Sequence, residues 1–269
     1  MTPDFIVTTS HRPAPEQVDL AGRFAREFKV SFVDRHDSSL EVLRTAHGVA
    51  GILVVSANKI SYVAEGEEFF FHPGLARLRI KNLINGKTDQ MIEAMSLKPG
   101  DRVLDCTLGL GADAITASFI AGEKGQVVGL EQSPVIASIV RWGLANYPES
   151  EGRIAAAMRR ITVCCADHGK FLAGLAPGSF DIIYFDPMFR LPRRQSPAMN
   201  AMRPLARPDP LEPGAVEQAI RVAGKRVVVK ERRGSGEFKR LGITNISGGK
   251  YSPVVFGVAG GRGGLKWEI

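Results

Sequence analysis

Short apolar segments alternate with helical segments from about residue 88 onward, and this alternation most limits what the chain can fold into. The apolar segments that predict strands lie at residues 102–105, 126–131, 161–165, 180–185, 226–230, 243–246 and 254–258. Strands that alternate with helices form a parallel, doubly wound sheet, which binds its ligand beyond the carboxyl ends of the strands. We therefore predict an α/β fold with a Rossmann-like, doubly wound, mostly parallel seven-stranded sheet.

The N-terminal part of the chain shows a different pattern, which predicts a small α/β extension. Residues 5–9 and 51–55 are strand-like, whereas residues 15–28 carry apolar side chains at helical spacing. No internal repeat or low-complexity segment interrupts this part. We predict two domains, at residues 1–75 and 76–269.

A glycine-rich loop follows the first strand of the larger domain. The run from Asp105 to Ala114 reads Asp-Cys-Thr-Leu-Gly-Leu-Gly-Ala-Asp-Ala, and glycine lets a ligand approach the backbone closely. Gly109 and Gly111 satisfy the dinucleotide-binding pattern G-x-G-x-x-A, and Glu131 lies 20 residues beyond Gly111, where a ribose-binding acid belongs. A nicotinamide cofactor is therefore one interpretation of this loop.

Two features favour S-adenosylmethionine (SAM) instead. Asp105 would repel a pyrophosphate, whereas it would attract or tolerate the ammonium and sulfonium of SAM; the second feature is the sequence after the fourth strand. Glu131 would accept hydrogen bonds from the ribose hydroxyls with either cofactor. Asp167, which follows the third strand, either meets the adenine or caps a helix. The predicted cofactor-binding residues are Asp105, Thr107, Gly109, Gly111, Asp113, Glu131, Gln132 and Asp167.

The fourth strand ends in Asp186-Pro-Met-Phe189, which has the layout of the (D/N)-P-P-(Y/F) signature of amino-group methyltransferases. The lone pair of an exocyclic amine is delocalised into the base, so the amine is a poor nucleophile. The Asp186 side chain and the Pro187 carbonyl offer two acceptors that would orient its N–H groups, and Phe189 offers a stacking surface. We predict Asp186, Pro187 and Phe189 as catalytic residues. The alternative is a strand-ending turn with a core phenylalanine.

The positive charge of the chain is concentrated in its last third. Residues 1–185 hold 19 Lys and Arg against 21 Asp and Glu, whereas residues 186–269 hold 16 against 7. Such one-sided charge is typical of a polyanion-binding surface, although a solubilising surface has the same composition. The proline-rich segment 191–213 predicts a long loop that would grip RNA phosphates. The residues predicted to contact substrate RNA are Arg190, Arg193, Arg194, Lys230 and Arg232.

Composition excludes several other classes of protein. Three cysteines form neither a disulfide framework nor a CxxC metal pattern, and the five histidines show no metal-ligand spacing. No apolar run reaches the roughly 18–20 residues of a membrane span, and the N-terminus does not resemble a secretory signal. We expect a reduced, cytoplasmic protein with no bound metal and no membrane partner.

Four runs of sequence together resemble the RsmJ-type methyltransferases: residues 103–114, 130–137, 184–189 and 224–230. The resemblance covers about residues 75–260, and departures after Phe189 indicate a distant branch. It implies a class I methyltransferase fold and SAM as the methyl donor. It also implies methylation of the 2-amino group of a guanine in small-subunit ribosomal RNA, with RNA or a ribosomal particle as the partner.

The resemblance also assigns roles to individual residues. It implies that Asp105, Gly109 and Gly111 line the cofactor, that Glu131 holds the ribose, and that residues 186–189 hold the guanine. Three alternatives stay open from the sequence. They are methylation of another amine (adenine, a protein amide or a small molecule), a catalytically silent RNA-binding protein, and a nicotinamide oxidoreductase.

Overall fold

The computed structural model describes residues 4–187, 205 and 209–261, and these residues form two compact units. One unit contains residues 4–72 together with residues 138–148. The other contains residues 73–137, 149–187 and 209–261. The first unit thus draws on separate stretches of the chain, and the predicted division at residue 75 stays a prediction.

The first unit is built on a four-stranded sheet in the order β1-β2-β3-β4, with two helices. Its elements are β1 (Phe5–Thr9), α1 (Pro15–Phe28), α2 (Leu40–His47), β2 (Gly51–Val55), β3 (Ile60–Ala64) and β4 (Glu67–Phe70). Strands β1 and β2 pair in parallel, and the other pairs are antiparallel. Pro15 starts α1, where its missing N–H costs no hydrogen bond, and the Ser39 hydroxyl caps α2. The sequence did not predict α2 or β3.

The second unit carries the remaining elements. They are α3 (Leu75–Ile84), α4 (Gln90–Met95), β5 (Arg102–Asp105), α5 (Ala112–Ala121), β6 (Gln126–Glu131), α6 (Pro134–Asn146, whose residues from 138 on are grouped with the first unit), α7 (Gly152–Arg159), β7 (Ile161–Cys165), α8 (His168–Ala173), β8 (Phe180–Phe185), α9 (Pro213–Val222), β9 (Ala223–Arg232), α10 (Glu237–Arg240), β10 (Asn245–Ser247) and β11 (Val254–Gly260). Every predicted strand of this unit is present, although β9 is longer than predicted and β10 is displaced toward its C-terminal side. The helices α7, α9 and α10 were not predicted.

The seven strands form one sheet in the order β10-β11-β9-β8-β5-β6-β7. Strands β9, β8, β5, β6 and β7 are parallel, whereas β11 pairs antiparallel with β9 at one edge and β10 pairs antiparallel with β11. The chain proceeds from β5 through β6 to β7 on one side, and then returns to β8 and β9 on the other. The predicted mostly parallel, doubly wound sheet is confirmed, and its switch point lies between β5 and β8, where such sheets bind ligands.

The central strands are buried on both faces of the sheet. Ile182, Ile183 and Phe185 of β8 and Leu104 of β5 are fully buried. Because helices cover both faces of a parallel sheet, its strands read as continuous apolar runs, which is why the sequence located them well. Truncating such a side chain to alanine costs about 2–5 kcal/mol of stability.

Within the described residues, the longest apolar helices fall short of what crossing a lipid bilayer requires.

Candidate functional site

The glycine loop between β5 and α5 has backbone angles that favour glycine. Gly109 and Gly111 adopt positive φ angles of 49° and 77°, which place both in the left-handed region. The Gly111 N–H donates to the Leu108 carbonyl at 2.7 Å, which closes the turn before α5. The Leu108 side chain packs on Gly129 of β6, where an added Cβ would lie 2.5 Å from a Leu108 methyl group. The loop is therefore held against the sheet at its carboxyl edge.

Asp105 ends β5 and is almost fully buried at this edge. Its Oδ1 accepts a hydrogen bond from the Thr107 N–H at 3.0 Å. Burial raises the pKa of Asp105 to about 8, with the charges of Asp113 and Asp186 adding and the Thr107 N–H opposing. A cation placed beside this carboxyl group would compensate for its burial, as the cationic methionine end of SAM would.

Glu131 ends β6, the strand beside β5, and its carboxylate is oriented by backbone amides. Its Oε1 accepts from the Ser133 N–H at 2.8 Å. Burial raises the pKa of Glu131, while the backbone N–H groups of Ser133, Gly109 and Gln132 oppose the rise. The acid thus lies next to the glycine loop, as a ribose ligand would, and its binding role stays a prediction.

Gln132 and Asp167 are joined by a hydrogen bond from Gln132 Nε2 to Asp167 Oδ2 of 3.2 Å. The other oxygen of Asp167 accepts from the Lys170 N–H at 2.9 Å and caps α8. The helix-cap interpretation of Asp167 is therefore confirmed. Contact of Gln132 or Asp167 with the cofactor stays a prediction.

Asp113 lies in the first turn of α5, and its two oxygens accept from three side chains of the protein. Its Oδ1 accepts from Arg79 Nη1, and its Oδ2 accepts from the Tyr184 hydroxyl at 2.7 Å and from Lys230 Nζ at 3.1 Å. Burial alone would raise the pKa of Asp113, but Lys230 and Arg79 outweigh it and lower the pKa to about 2. The sequence assigned Asp113 to the cofactor, whereas its described hydrogen bonds are all internal.

Asp186 follows β8 directly, and its backbone N–H donates to Thr107 Oγ1 at 2.6 Å. Its Oδ2 accepts from Lys230 Nζ at 2.7 Å. Burial raises the pKa of Asp186 to about 7; Lys230 opposes the rise and Asp113 adds to it. Thr107 thus ties the predicted catalytic corner to the predicted cofactor loop.

Lys230 lies beside Asp186 because of strand register. Phe185 pairs with Val229 in the parallel β8–β9 ladder. Asp186 follows Phe185 and Lys230 follows Val229, so the two residues are neighbours across the strands. Burial lowers the pKa of Lys230, but Asp113 and Asp186 outweigh it and hold the pKa above its ordinary value. The sequence assigned Lys230 to RNA, whereas its described contacts are with two aspartates of the site.

Arg79 is a residue of this site that the sequence did not single out. Its Nε and Nη2 donate to the Asp89 carboxylate at 2.7 and 2.9 Å, while Nη1 reaches Asp113. Asp89 in turn caps α4 through the Met91 and Ile92 N–H groups. The basic residues near α3 were visible in the sequence, but nothing there indicated which acids they would meet.

The remaining predicted residues divide between described and undescribed parts of the chain. Pro187 follows Asp186 and is half-buried, and Arg232 lies on the same face of β9 as Lys230, two positions further on. Phe189, Arg190, Arg193 and Arg194 lie outside the described residues.

Comparisons with known proteins identify a family for most of the chain. Residues 53–241 match the family model described as "Putative SAM-dependent methyltransferase". The chain is 36% identical over 255 residues to the uncharacterized protein YpiP of Bacillus subtilis, covering 94% of this chain and 98% of that protein.

A second group of relatives has a stated activity. The chain is 36% identical over 163 residues to the ribosomal RNA small subunit methyltransferase J of Pseudomonas syringae, and 37% identical over 158 residues to that of Pseudomonas paraeruginosa. In both cases the match spans 58% of the relative's length. The chain therefore spans little more than half the length of these relatives.

A solved structure supports the fold. A SAM-dependent methyltransferase from Neisseria gonorrhoeae superposes with a TM-score of 0.64 at 19% identity, covering 96% of each chain. The family match also decides between the two cofactors that the glycine loop left open, in favour of SAM. Because residues 53–241 match that family model, the chain belongs to the SAM-dependent methyltransferase family.

Proposed function

We propose that this SAM-dependent methyltransferase methylates an exocyclic amino group of RNA, namely the 2-amino group of a guanine in small-subunit ribosomal RNA. The observation that carries the proposal is the 2.6 Å hydrogen bond from the Asp186 N–H to Thr107 Oγ1. It holds the backbone of Asp186 beside the glycine loop, which is predicted to bind the cofactor. The relatives named for ribosomal RNA methylation support the choice of substrate.

The cofactor pocket would be formed by the two acids at the ends of neighbouring strands. Asp105 would lie near the cationic methionine end, and Glu131, held by the Ser133 N–H, would accept from the ribose hydroxyls. Gly109 and Gly111 would let the ligand lie close to the loop backbone. When bound, SAM supplies an electrophilic methyl group.

At the catalytic corner, Asp186 and the Pro187 carbonyl would each accept one N–H of the guanine amine. Two acceptors fix the amine so that its lone pair faces the methyl group, and they stabilise the positive charge that develops on nitrogen. The nitrogen–carbon bond forms as the sulfur–carbon bond breaks, and the amine then loses one proton to water. The mechanism needs no histidine or cysteine as a general base. The methylated nitrogen carries a positive charge and is acidic enough to lose its proton to water.

Basic residues beyond the corner would hold the RNA backbone. Arg190, Arg193, Arg194 and Arg232 follow or flank the corner in a segment with a large excess of positive charge. Phosphate contacts position a nucleic acid without reading its sequence, so the choice of nucleotide would fall to the corner and its neighbours.

The proposal is tested by comparing ribosomal RNA nucleosides from cells with and without the gene by mass spectrometry. One methylated guanine should disappear, return with the wild-type gene, and stay absent with Asp186→Ala. Loss of a methylated adenine instead would assign another amine. Identical nucleosides in both strains, with SAM binding intact in the purified protein, would refute methylation of ribosomal RNA.

A further inference from the structure

A chain of alternating charges runs through the catalytic corner and involves residues from four elements. Lys230 Nζ lies between Asp113 Oδ2 at 3.1 Å and Asp186 Oδ2 at 2.7 Å. Arg79 binds the other oxygen of Asp113, Oδ1, and the Tyr184 hydroxyl donates to Oδ2 at 2.7 Å. These charged side chains are all mostly buried, with Lys230 23% and Asp113 14% exposed.

Several acids lie together at the catalytic corner, and this chain of charges supplies their counter-charges. Asp113 and Asp186 contact the same ammonium, and Asp105 pairs with Tyr184 on the neighbouring strand, so the three aspartates lie in one mostly buried place. Like charges in such a place do not all ionise unless a cation lies among them. Lys230 supplies that cation next to Asp186, while Arg79 supplies the second one at Asp113.

The same contacts also limit the orientation of the Asp186 carboxylate. The hydrogen bond to Thr107 fixes the Asp186 backbone, but it leaves the side-chain torsions undetermined. The ammonium binds Oδ2 and thereby selects one orientation of the carboxylate plane. The ammonium is itself held by a second acceptor, Asp113 Oδ2, at 3.1 Å.

We propose that Lys230 is a positioning residue for Asp186: by binding Oδ2 it directs Oδ1 at the substrate amine, while Arg79 and Tyr184 hold Asp113 as the anchor of the ammonium. The inference rests on the proposed role of Asp186 in methylation. It replaces the expectation that Lys230 serves mainly as an RNA contact, and the assignment of Asp113 to the cofactor.

The chain contains a matched control for Lys230. Lys225 lies on the same strand, and its ammonium also contacts two aspartates, Asp101 and Asp181. Its side chain is 50% exposed, and it lies five residues before Lys230, toward the amino end of β9 and away from Asp186. Lys225→Met therefore removes a comparable ion pair without reaching the corner.

The kinetic test compares Lys230→Met, Lys230→Arg and Lys225→Met with ribosomal RNA as substrate. Lys230→Met should lower kcat by about 10²-fold, which is the effect expected when a reacting group is displaced by about 1 Å. The KM for RNA and the affinity for SAM should stay within twofold of the wild-type values. Lys230→Arg keeps the cation and should recover most of kcat, and Lys225→Met should match the wild type. A Lys230→Met variant with wild-type kcat and only a raised KM would overturn the proposal and indicate an RNA contact.

The pH dependence gives a second kinetic readout. Asp186 faces Asp113 from α5, Lys230 from β9, Asp105 from β5 and Tyr184 from β8. Activity requires the ionised carboxylate, so it should fall as the pH drops through the raised pKa of Asp186. Without Lys230 that pKa rises further, and the acid limb of kcat should move to higher pH in Lys230→Met only. An unmoved limb would overturn the proposal.

A readout without substrate separates this inference from the proposed function. Titration of the aspartate carboxyl carbons by NMR should show Asp186 protonating at higher pH in Lys230→Met than in the wild type or Lys225→Met. An unchanged titration overturns the inference even if ribosomal RNA is methylated, whereas an inactive wild-type protein with the expected titration overturns only the function. If Lys230→Met does not fold, the double variant Lys230→Met, Asp113→Asn removes both charges together, and a kcat at the wild-type level would overturn the proposal.

Discussion

Replacing Arg79 by methionine should destabilise the larger unit substantially, because Arg79 is a buried cation with two acidic partners. Its side chain is 21% exposed, and those of Asp89 and Asp113 are 12% and 14% exposed. Methionine keeps most of the apolar volume but donates no hydrogen bond. The substitution therefore isolates the loss of charge from a loss of packing.

The magnitude follows from the partners that would be left behind. The pKa of Asp113 is lowered from 3.8 to about 2, which corresponds to about 2–3 kcal/mol at 1.36 kcal/mol per unit. Only part of this is lost, because Lys230 and Tyr184 stay on Asp113. Asp89 loses two charge-assisted hydrogen bonds, but keeps those from the α4 backbone. Together we expect a loss of about 3 kcal/mol, the lower end of the range for breaking a buried ion pair.

The pH dependence of this loss has a definite sign. Burial raises the pKa of Asp89, but Arg79 outweighs it, so the pKa of Asp89, like that of Asp113, lies below its unfolded value. The stability that these acids contribute is present above about pH 4 and is lost as the pH falls through their folded pKa values. The difference between wild type and Arg79→Met should therefore shrink from pH 7 to pH 3.

Urea unfolding followed by circular dichroism at pH 7 and at pH 3 measures both effects. Hydrogen exchange of the β5 and β9 amides would localise the loss to the larger unit. Arg153→Met is the control in the same unit, because Arg153 pairs with Glu151 on the surface, at 63% exposure, and its removal should leave the midpoint unchanged. Equal midpoints for Arg79→Met and the wild type at pH 7, or equal losses in both variants, would refute the reasoning.

Three further substitutions test the cofactor site, the catalytic corner and the RNA surface. Glu131→Ala removes charge-assisted hydrogen bonds worth about 1.5–3 kcal/mol each, so calorimetry should show SAM affinity at least about tenfold weaker; a change under twofold would exclude Glu131 as the ribose ligand. Asp186→Ala should abolish single-turnover methylation and leave SAM affinity nearly intact, and wild-type turnover would contradict its catalytic role. Replacing Arg193 and Arg194 by alanine should weaken RNA binding and reduce its logarithmic salt slope by about 1.5, since each lost phosphate contact reduces the slope by about 0.7–0.9. An unchanged slope in a filter-binding titration would indicate that these two arginines are solvated charges.

The sequence predicted the large sheet well because its signals are local. Strands such as β8, buried on both faces, form continuous apolar runs, and Gly111 starts α5 at a left-handed backbone position. The helix cap at Asp167 was also recognisable from residue type and position. In the smaller unit the signals were weaker. Helix α2 has a single buried residue, Leu43, so its apolar periodicity is faint.

The predicted catalytic corner could be located only in part from the sequence. Its acids have local sequence signals, whereas the cations that bind them do not. Asp186 follows a strand and precedes a proline, so local sequence points to it. Lys230 is 44 residues away from Asp186, and Arg79 is 34 residues away from Asp113, and both pairs form only through the sheet and the packing of α3. A lysine near a strand end reads as a surface charge, which is how the sequence led to an RNA assignment. In the folded protein the register of β8 and β9 brings Lys230 beside Asp186. In the proposed mechanism Asp186 accepts a hydrogen bond from an amine in a mostly buried site, where a carboxylate needs a counter-charge to stay ionised. If Asp186 acts as proposed, the register of these two strands supplies its counter-charge as well as its neighbour.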